Sequence, residues 1–366
     1  MIVVAGAGMA GLVAAARLRE LGRPVRLVEK GDRPGGSMLW SSGVIWRHRT
    51  AEAFRAECPG GDPALQRLIV ERLDDALDWL EQEAVPAHER ETGNPRTVGR
   101  RFDPRALTAA LARDVELRTP LEELPADGPV ILATGGFAAR LARQRGLALR
   151  ACRWNEGDGL ALGRAGGAAQ AGDLAEFYGR SLPAPPARVE PGDWVRAAQL
   201  YGRFAHVVDD GGRRAFAEEP SWSENDLVQA VARCPGGTAW YVVDEVARAA
   251  VVRDRTVGEM VAVAEELGGE VRRAETLERL ALGPLVSEQL AEPPFAAVRV
   301  VAAVTHTLGG LRVDESTRVL REDGTPVDRL YAAGVDAGGI ATGGYASGLA
   351  TALVLGLAAA ESAAGQ

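Results

Sequence analysis

Lysine is almost absent from this chain. Lys30 stands alone, and every other basic residue is arginine. Even with the arginines counted, 42 basic residues face 50 acidic ones, leaving a net charge of -8 and a pI near 5.3. That balance argues against a polyanion as partner, and no nucleic acid is expected. Cysteine is scarce as well: Cys58, Cys152 and Cys234 are odd in number and far apart. No C-x-x-C, haem-attachment or iron–sulfur spacing can be built from them, so they are expected to be reduced structural thiols. Among the four histidines, His48, His88 and His206 have no acid or second ligand at metal spacing. They are expected to be ordinary surface or loop residues, and no metal is expected. Long hydrophobic runs are missing too. The alanine-rich stretch from Leu349 to Ala360 is too short to cross a bilayer, so no membrane insertion is expected. The first apolar run begins at Ile2, ahead of which no signal peptide fits, and the expectation is a cytoplasmic protein.

What is present has the composition of an ordinary globular protein, 46% hydrophobic and 25% charged, over 366 residues, a length that suits two domains. Its organising stretch is the N-terminus. Ile2-Val3-Val4-Ala5 has the pattern of a buried parallel strand and breaks into Gly6-Ala7-Gly8-Met9-Ala10-Gly11. A helical pattern (Leu12, Val13, Ala16, Leu18, Leu21) follows until Gly22, and Val25 to Glu29 gives a second strand with an acid at its end. Strand, glycine turn, helix, strand and carboxylate come in the order a dinucleotide site requires. Gly6 permits the tight turn, Gly8 lets backbone approach a pyrophosphate, and Gly11 lets the helix lie close to the strand. Met9 and Ala10 open the helix, whose N-terminal N–H groups and dipole suit phosphate. Glu29 is placed to accept from ribose hydroxyls. No second G-x-G-x-x-G precedes a helix, so a bound nicotinamide nucleotide is not expected.

After Glu29 the run E-K-x(4)-G-G-S-x(4)-S-G-x-x-W extends to Trp46. Further on stand Ala133-Thr134-Gly135-Gly136, Gly157-Asp158-Gly159-Leu160-Ala161, Thr305-His306-Thr307-Leu308-Gly309-Gly310, Ala332-Ala333-Gly334-Val335-Asp336 and Gly343 to Leu349. Together these resemble the fumarate reductase/succinate dehydrogenase flavoprotein superfamily, which includes ketosteroid and tricarballylate dehydrogenases. The resemblance implies an α/β fold: a Rossmann-like FAD-binding domain with an inserted α+β cap domain. Residues 1–176 and 295–366 would form the FAD-binding domain and 177–294 the cap that carries substrate. Within the cap, irregular strands such as Trp240 to Val243 are expected, a helix around Glu259 to Leu267, and a shortened version of the family's cap helices over Gly258 to Leu280. A β-meander usual in the family is expected to be missing between Leu117 and Pro129.

The resemblance also implies where FAD would lie. Lys30, Gly36, Ser37, Ser42 and Gly43 would line its pyrophosphate and ring, and Ala133, Thr134 and Gly135 its adenosine end. Asp158 and Gly310 would stand near the flavin. Gly334 and Asp336 would hold the ribityl chain, and Ser347, Gly348 and Leu349 would present a helix N-terminus to the flavin. Members that tether FAD covalently do so through a His where this chain has Ser37, so the cofactor is expected to be non-covalent.

For chemistry the resemblance points to His306, with Thr307 beside it, as an anchor for a substrate carboxylate or carbonyl; a His hydrogen-bonded within its turn is the plainer alternative. Tyr345 either donates to a substrate oxygen or packs as a wall of the site. The chain departs from fumarate reductases in two places. The segment Gly212 to Glu218 leads to Trp222 where those enzymes carry a proton-donating Arg, and Gly339 to Gly356 contains no Arg to grip a carboxylate. The expected activity is hydride transfer between flavin N5 and a carbon α,β to a carbonyl of a non-dicarboxylate small molecule, with an external electron donor or acceptor. Oxidation of a C–N or C–O bond by dioxygen, or a non-redox isomerase or hydratase reaction, stands as the alternative.

Overall fold

The computed structural model describes residues 1–216, 219–284 and 290–365. The chain divides into two compact units, one of Met1–Arg140, Ala151–Phe177 and His306–Gln366, the other of Leu141–Arg150 and Tyr178–Thr305. The second unit differs in extent from the expected segment 177–294. It gains Leu141–Arg150 and the strand residues up to Thr305, because Ala148 and Leu149 pair with Ala303 and Val304.

The first unit opens with β1 (Ile2–Ala5), α1 (Met9–Glu20), β2 (Val25–Glu29), β3 (Val44–His48), α2 (Ala51–Glu57), α3 (Pro63–Glu83), β4 (Thr97–Arg101), α4 (Pro104–Leu111), β5 (Val115–Leu117) and β6 (Val130–Leu132). Its main sheet has the order Arg318–Leu320, Pro326–Ala332, β6, β1, β2, β5. All neighbours in it are parallel except the first pair. β1 and β6 are apolar and buried at every position, the pattern of strands covered on both faces. The helix Gly348–Ala364 packs on α1, and Gly356 lets it come close: a Cβ there would lie 2.7 Å from the Ala10 carbonyl oxygen. α3 starts where Asp62 accepts from the N–H groups of Ala64 and Leu65, with Pro63 in the first turn. Its buried stripe of Leu65, Ile69, Leu73, Leu77 and Leu80 has helical spacing. Residues 118–129 hold turns and bends and no strand.

The second unit is built on a six-stranded sheet whose path His206–Val208, Thr238–Val243, Phe295–Thr307, Val271–Ala274 is antiparallel, while Ala148–Leu149 joins the long strand in parallel and Phe177–Pro183 also pairs with it. Val208, Trp240, Val242, Leu280, Leu282, Phe295 and Ala297 form one of its core clusters. Two expectations are corrected here. Trp240 to Val243 is not irregular, since it pairs along its whole length with Ala296 to Arg299. Gly258 to Leu280 is not a run of helices. The helix Val257–Glu266, started by a reciprocal Thr256–Glu259 cap, stops near Gly268, and Val271–Ala274 is a strand. The motif at Gly212 includes Ala217 and Glu218, which lie outside the described residues. Among the described residues, no helix is long and apolar enough to cross a membrane.

Candidate active site

Glycine sets the geometry at the carboxyl end of β1. Gly6 has φ +103°, and a Cβ on it would lie 2.2 Å from the Ala133 carbonyl oxygen. A Cβ on Gly11 would lie 1.8 Å from the Gly6 carbonyl oxygen, so α1 seats on the turn only without a side chain there. Gly8 differs. It caps α1 with φ -79°, and no atom lies within 4 Å of where its Cβ would be. Among the described residues none crowds a side chain at Gly8, and its free side is room at a helix N-terminus, beside buried Met9 and Ala10. Gly36 faces the same turn, since its Cβ would lie 3.1 Å from the Gly8 Cα.

Glu29 ties this turn to β2. Its Oε2 accepts from the Ala7 N–H at 2.7 Å and its Oε1 from the Gly31 N–H at 2.6 Å. A carboxylate offers about four lone-pair directions, so capacity for ribose hydroxyls remains. The ammonium of Lys30 pairs with Asp158, which joins two residues expected near the cofactor. Ser37 Oγ accepts from the Cys152 N–H at 2.9 Å and from Asn155 Nδ2 at 3.3 Å. Ser42 is exposed, and Gly43 is buried at the entry to β3.

Asp336 is buried and gathers three segments. Its carboxylate accepts from the Thr134 N–H, from Thr134 Oγ1 at 3.0 Å and from the Gly136 N–H at 3.0 Å. Thr134 Oγ1 in turn accepts from the Gly159 N–H at 3.0 Å. Burial pushes the Asp336 carboxyl above the usual carboxylate range, and the donors from Thr134 and Gly136 oppose that rise. Ala133 and Gly135 flank Thr134 in the chain; a Cβ on Gly334 would lie 3.0 Å from Ala10 Cβ, and a Cβ on Gly310 2.6 Å from the Asp336 carbonyl oxygen.

His306, Thr307, Gly334, Val335 and Gly348 line one cavity, with Leu308 and Ile340 among its apolar walls. Ser347 Oγ caps the helix that begins at Gly348 and Leu349 by accepting from the Ala350 N–H at 3.3 Å. That helix N-terminus opens on the imidazole: a Cβ on Gly348 would lie 3.2 Å from His306 Cε1. Among the described residues the buried Thr307 hydroxyl has no hydrogen-bond partner, and a Cβ on Gly136 would lie 2.6 Å from it. Leaving a buried hydroxyl unmatched costs on the order of 1–3 kcal/mol, which a bound polar group would offset. The space over Gly8 and this orphaned hydroxyl both fit an extended dinucleotide lying across the strand ends. Tyr345 is not among the residues lining the cavity with His306. Its ring packs edge-on against Trp46 at 5.1 Å, and its carbonyl is 3.2 Å from His48 Nε2.

His48 and His206 are corrections. Both are buried on strands, not at the surface or in loops. His48 lies between the rings of Trp46 and Phe54, where burial pushes its pKa down. His88 is exposed in a loop. Cys58 is buried, and burial pushes its thiol pKa up, in keeping with an inert structural thiol. Three residues that fix the site's loops were not singled out in the sequence. Glu176 Oε1 accepts from the Gly343 N–H at 2.8 Å, Gln66 Nε2 donates to the Ile340 carbonyl at 3.0 Å, and Asn155 holds Ser37. Only Asn155 had a local signal, its place just ahead of the Gly157-Asp158-Gly159 motif. Among the described residues, no group of three or more His, Cys, Asp or Glu could hold a metal ion.

The family model described as FAD binding domain matches residues 1–123 and 121–350. The NADH:fumarate oxidoreductase of Klebsiella pneumoniae is 26% identical over 438 residues, which cover 97% of this chain and 46% of that protein, so the chain spans less than half the length of this relative. A KsdD-like steroid dehydrogenase of Mycobacterium tuberculosis is 32% identical over 152 residues, 39% of this chain and 26% of its own length. Among solved structures, the 3-ketosteroid delta1-dehydrogenase from Sterolibacterium denitrificans, in complex with 1,4-androstadiene-3,17-dione, superposes with a TM-score of 0.74 at 18% identity, over 100% of this chain and 99% of that one. The likeness to that structure shows a shared fold. With the match to the family model over most of its length, the chain belongs to the FAD binding domain family, and its cofactor is FAD.

Proposed function

We propose that this protein binds FAD without a covalent tether and transfers a hydride between flavin N5 and a carbon α,β to a carbonyl of an apolar, non-dicarboxylate small molecule. The observation that carries the reading is the cavity lined by His306, Thr307 and the N-terminus of the helix Gly348–Ala364. FAD, when bound, supplies the two-electron chemistry, and the residues of the chain supply position and electrostatics. Gly6, Gly8, Gly11 and Glu29 would hold its pyrophosphate and ribose, and Asp336 with Thr134 would fix the floor beneath its ribityl chain. The helix dipole at Gly348 favours negative charge at that end of the cavity. His306 then holds the substrate carbonyl through its imidazole, and Thr307 offers a hydroxyl beside it. Negative charge that grows on the carbonyl oxygen is met by fixed donors that need no reorganisation.

Two features favour an apolar carbonyl compound over a dicarboxylate. The glycine window from Gly339 to Gly356 holds no guanidinium, and the cavity walls at Leu308, Val335, Ile340 and Ala346 are apolar. Trp222 stands where fumarate reductases carry a proton-donating Arg. The second compact unit is assigned the role of substrate domain, and an external donor or acceptor completes the cycle.

Anaerobic mixing with a panel of enones, saturated ketones, carboxylates and amines tests this. Flavin bleaching by a ketone, with little turnover in air, is the expected result. Stoichiometric peroxide from an amine or alcohol would mean an oxidase. Product formed while the flavin stays oxidised would mean a non-redox reaction. Rapid fumarate reduction with a reduced dye would refute the non-dicarboxylate assignment.

A further inference from the structure

The segment Cys152–Asp158 is tied at four points to the stretch that follows β2. The Trp154 indole lies on Gly31, where a Cβ would be 2.7 Å from Trp154 Cδ1, 2.8 Å from its Nε1 and 2.9 Å from Glu29 Oε1. Ser37 Oγ accepts from the Cys152 N–H and from Asn155 Nδ2. Arg153 pairs with Asp32 at 3.6 Å, and Lys30 pairs with Asp158. Toward the other side Asn155, itself buried, reaches the end of β6: a Cβ on Gly135 would lie 3.0 Å from Asn155 Oδ1. β6, β1 and β2 are neighbours in the sheet, so the segment crosses the carboxyl end of β1.

A dinucleotide on such a sheet lies over the glycine turn after β1, with the ribose of its adenosine half at the acid that closes β2. An indole held beside that acid therefore stands on the adenosine side. Its ring is fixed further by the Arg153 guanidinium, 4.8 Å from the ring centroid. We propose that Trp154 is the residue by which this chain recognises the adenine of FAD, on a strap, Cys152–Asp158, that closes the adenosine half of the site. The proposal rests on FAD as the cofactor; of the strap, Asp158 alone was expected near the flavin, and the proposal moves it to the adenosine end. It also explains a selection: FMN, which lacks the adenosine half, gains nothing from the strap.

The test uses apoprotein stripped from the holoenzyme and titrated with FAD, ADP and FMN, followed by calorimetry and tryptophan fluorescence. Trp154→Ala is expected to bind FAD and ADP about tenfold or more weakly, the usual range for losing a base–aromatic contact, with FMN affinity unchanged. Trp154→Phe should stay within about threefold of the parent in affinity, yet lose the quenching that ADP produces in the parent. Because Lys30 is the one lysine, its acylation can be read by peptide mapping without interference from others, and ADP should slow it where FMN does not. Equal FAD and ADP affinities in Trp154→Ala and parent would overturn the proposal. If Trp154→Ala does not fold, equal ADP quenching in Trp154→Phe and parent overturns it instead. Failure of the parent apoprotein to bind either FAD or ADP would overturn the cofactor reading itself. Normal binding by the parent and both variants would overturn only the role given to Trp154.

Discussion

Asp336 in the first unit and Glu224 in the second are both buried acids, and burial pushes the carboxyl of each upward. Backbone N–H groups answer both, and the further partners differ. Asp336 is held by backbone and hydroxyl donors of Thr134 and Gly136, groups at the end of a parallel strand. Glu224 is opposed chiefly by the charge of Arg180 and by the Arg203 N–H at 3.3 Å, and it starts the helix Asn225–Arg233 from a left-handed φ of +57°. Around it, Arg180 lies over the Tyr178 ring at 5.1 Å and Ser181 shares a 2.9 Å hydrogen bond with Tyr241. Donors from the backbone lock loops to one another and so build a floor on which a ligand can lie. At Glu224 backbone donors from Arg203 and Gly202 act together with the charges of Arg180 and Arg203, and the side chains around it fix packing. The same burial problem is thus met by a hydroxyl and backbone donors in one unit and with the help of guanidinium charge in the other.

The comparison can be broken most sharply at Gly8. A Cβ there clashes with none of the described residues and φ is -79°, so the Gly8→Val variant should fold and keep its circular dichroism, yet lose FAD entirely. A Gly8→Val protein that purifies yellow would show that the space over Gly8 is not the cofactor's. His306→Ala should retain FAD but slow flavin reduction by substrate on the order of a hundredfold to a thousandfold, the usual cost of one donor to a developing oxyanion. Stopped flow reads this directly, and a normal rate in the flavin-loaded variant would make His306 structural.

Asp336→Ala leaves the N–H groups of Thr134 and Gly136 without their acceptor, and about 2–3 kcal/mol of apoprotein stability should go with it. Tyr241→Phe in the second unit removes one neutral hydrogen bond and should cost only about 1 kcal/mol. Urea melts of the two variants side by side test the contrast, and equal losses would erase it. The smallest effect is expected at Glu176, a half-buried acid whose carboxyl is raised by burial. A raised folded-state pKa means its favourable contribution is complete below the unfolded value and is lost as pH rises through the folded one. Glu176→Gln keeps an acceptor for the Gly343 N–H without the charge. It should therefore match or slightly exceed the parent's stability at pH 7, with that advantage gone near pH 4. A variant less stable than the parent at pH 7 would mean that the charge itself holds the loop.

The first unit was legible wherever one stretch of chain carries both halves of an argument. Val3 and Val4, the glycines after them and Glu29 lie within thirty residues, and their order alone implies a parallel pair with a phosphate-sized turn. The caps at Asp62 and Thr256 and the stripe on α3 are local in the same way. The second unit was harder because its antiparallel pairings join distant segments, Val271 with Val298 and His206 with Val242. His48 and His206 were misplaced for a related reason: a histidine in a short strand carries no mark of which face is covered.

By itself, then, the sequence determined the cofactor class and the glycine turn after β1, since strand, glycine and acid act through backbone geometry that neighbouring residues dictate. It also determined the absence of carboxylate-gripping arginines from the glycine window, which is a matter of composition. Only the tertiary structure decided that Thr307 keeps a buried hydroxyl unmatched, that Tyr345 turns its ring to Trp46, and that Trp154 comes to rest on Gly31 beside Glu29. Each of these depends on segments far apart in the chain, where no residue pattern records the neighbour. Partners such as Glu176 and Gly343, or Gln66 and Ile340, meet only because the sheet and the helices packed on it bring their loops to one place.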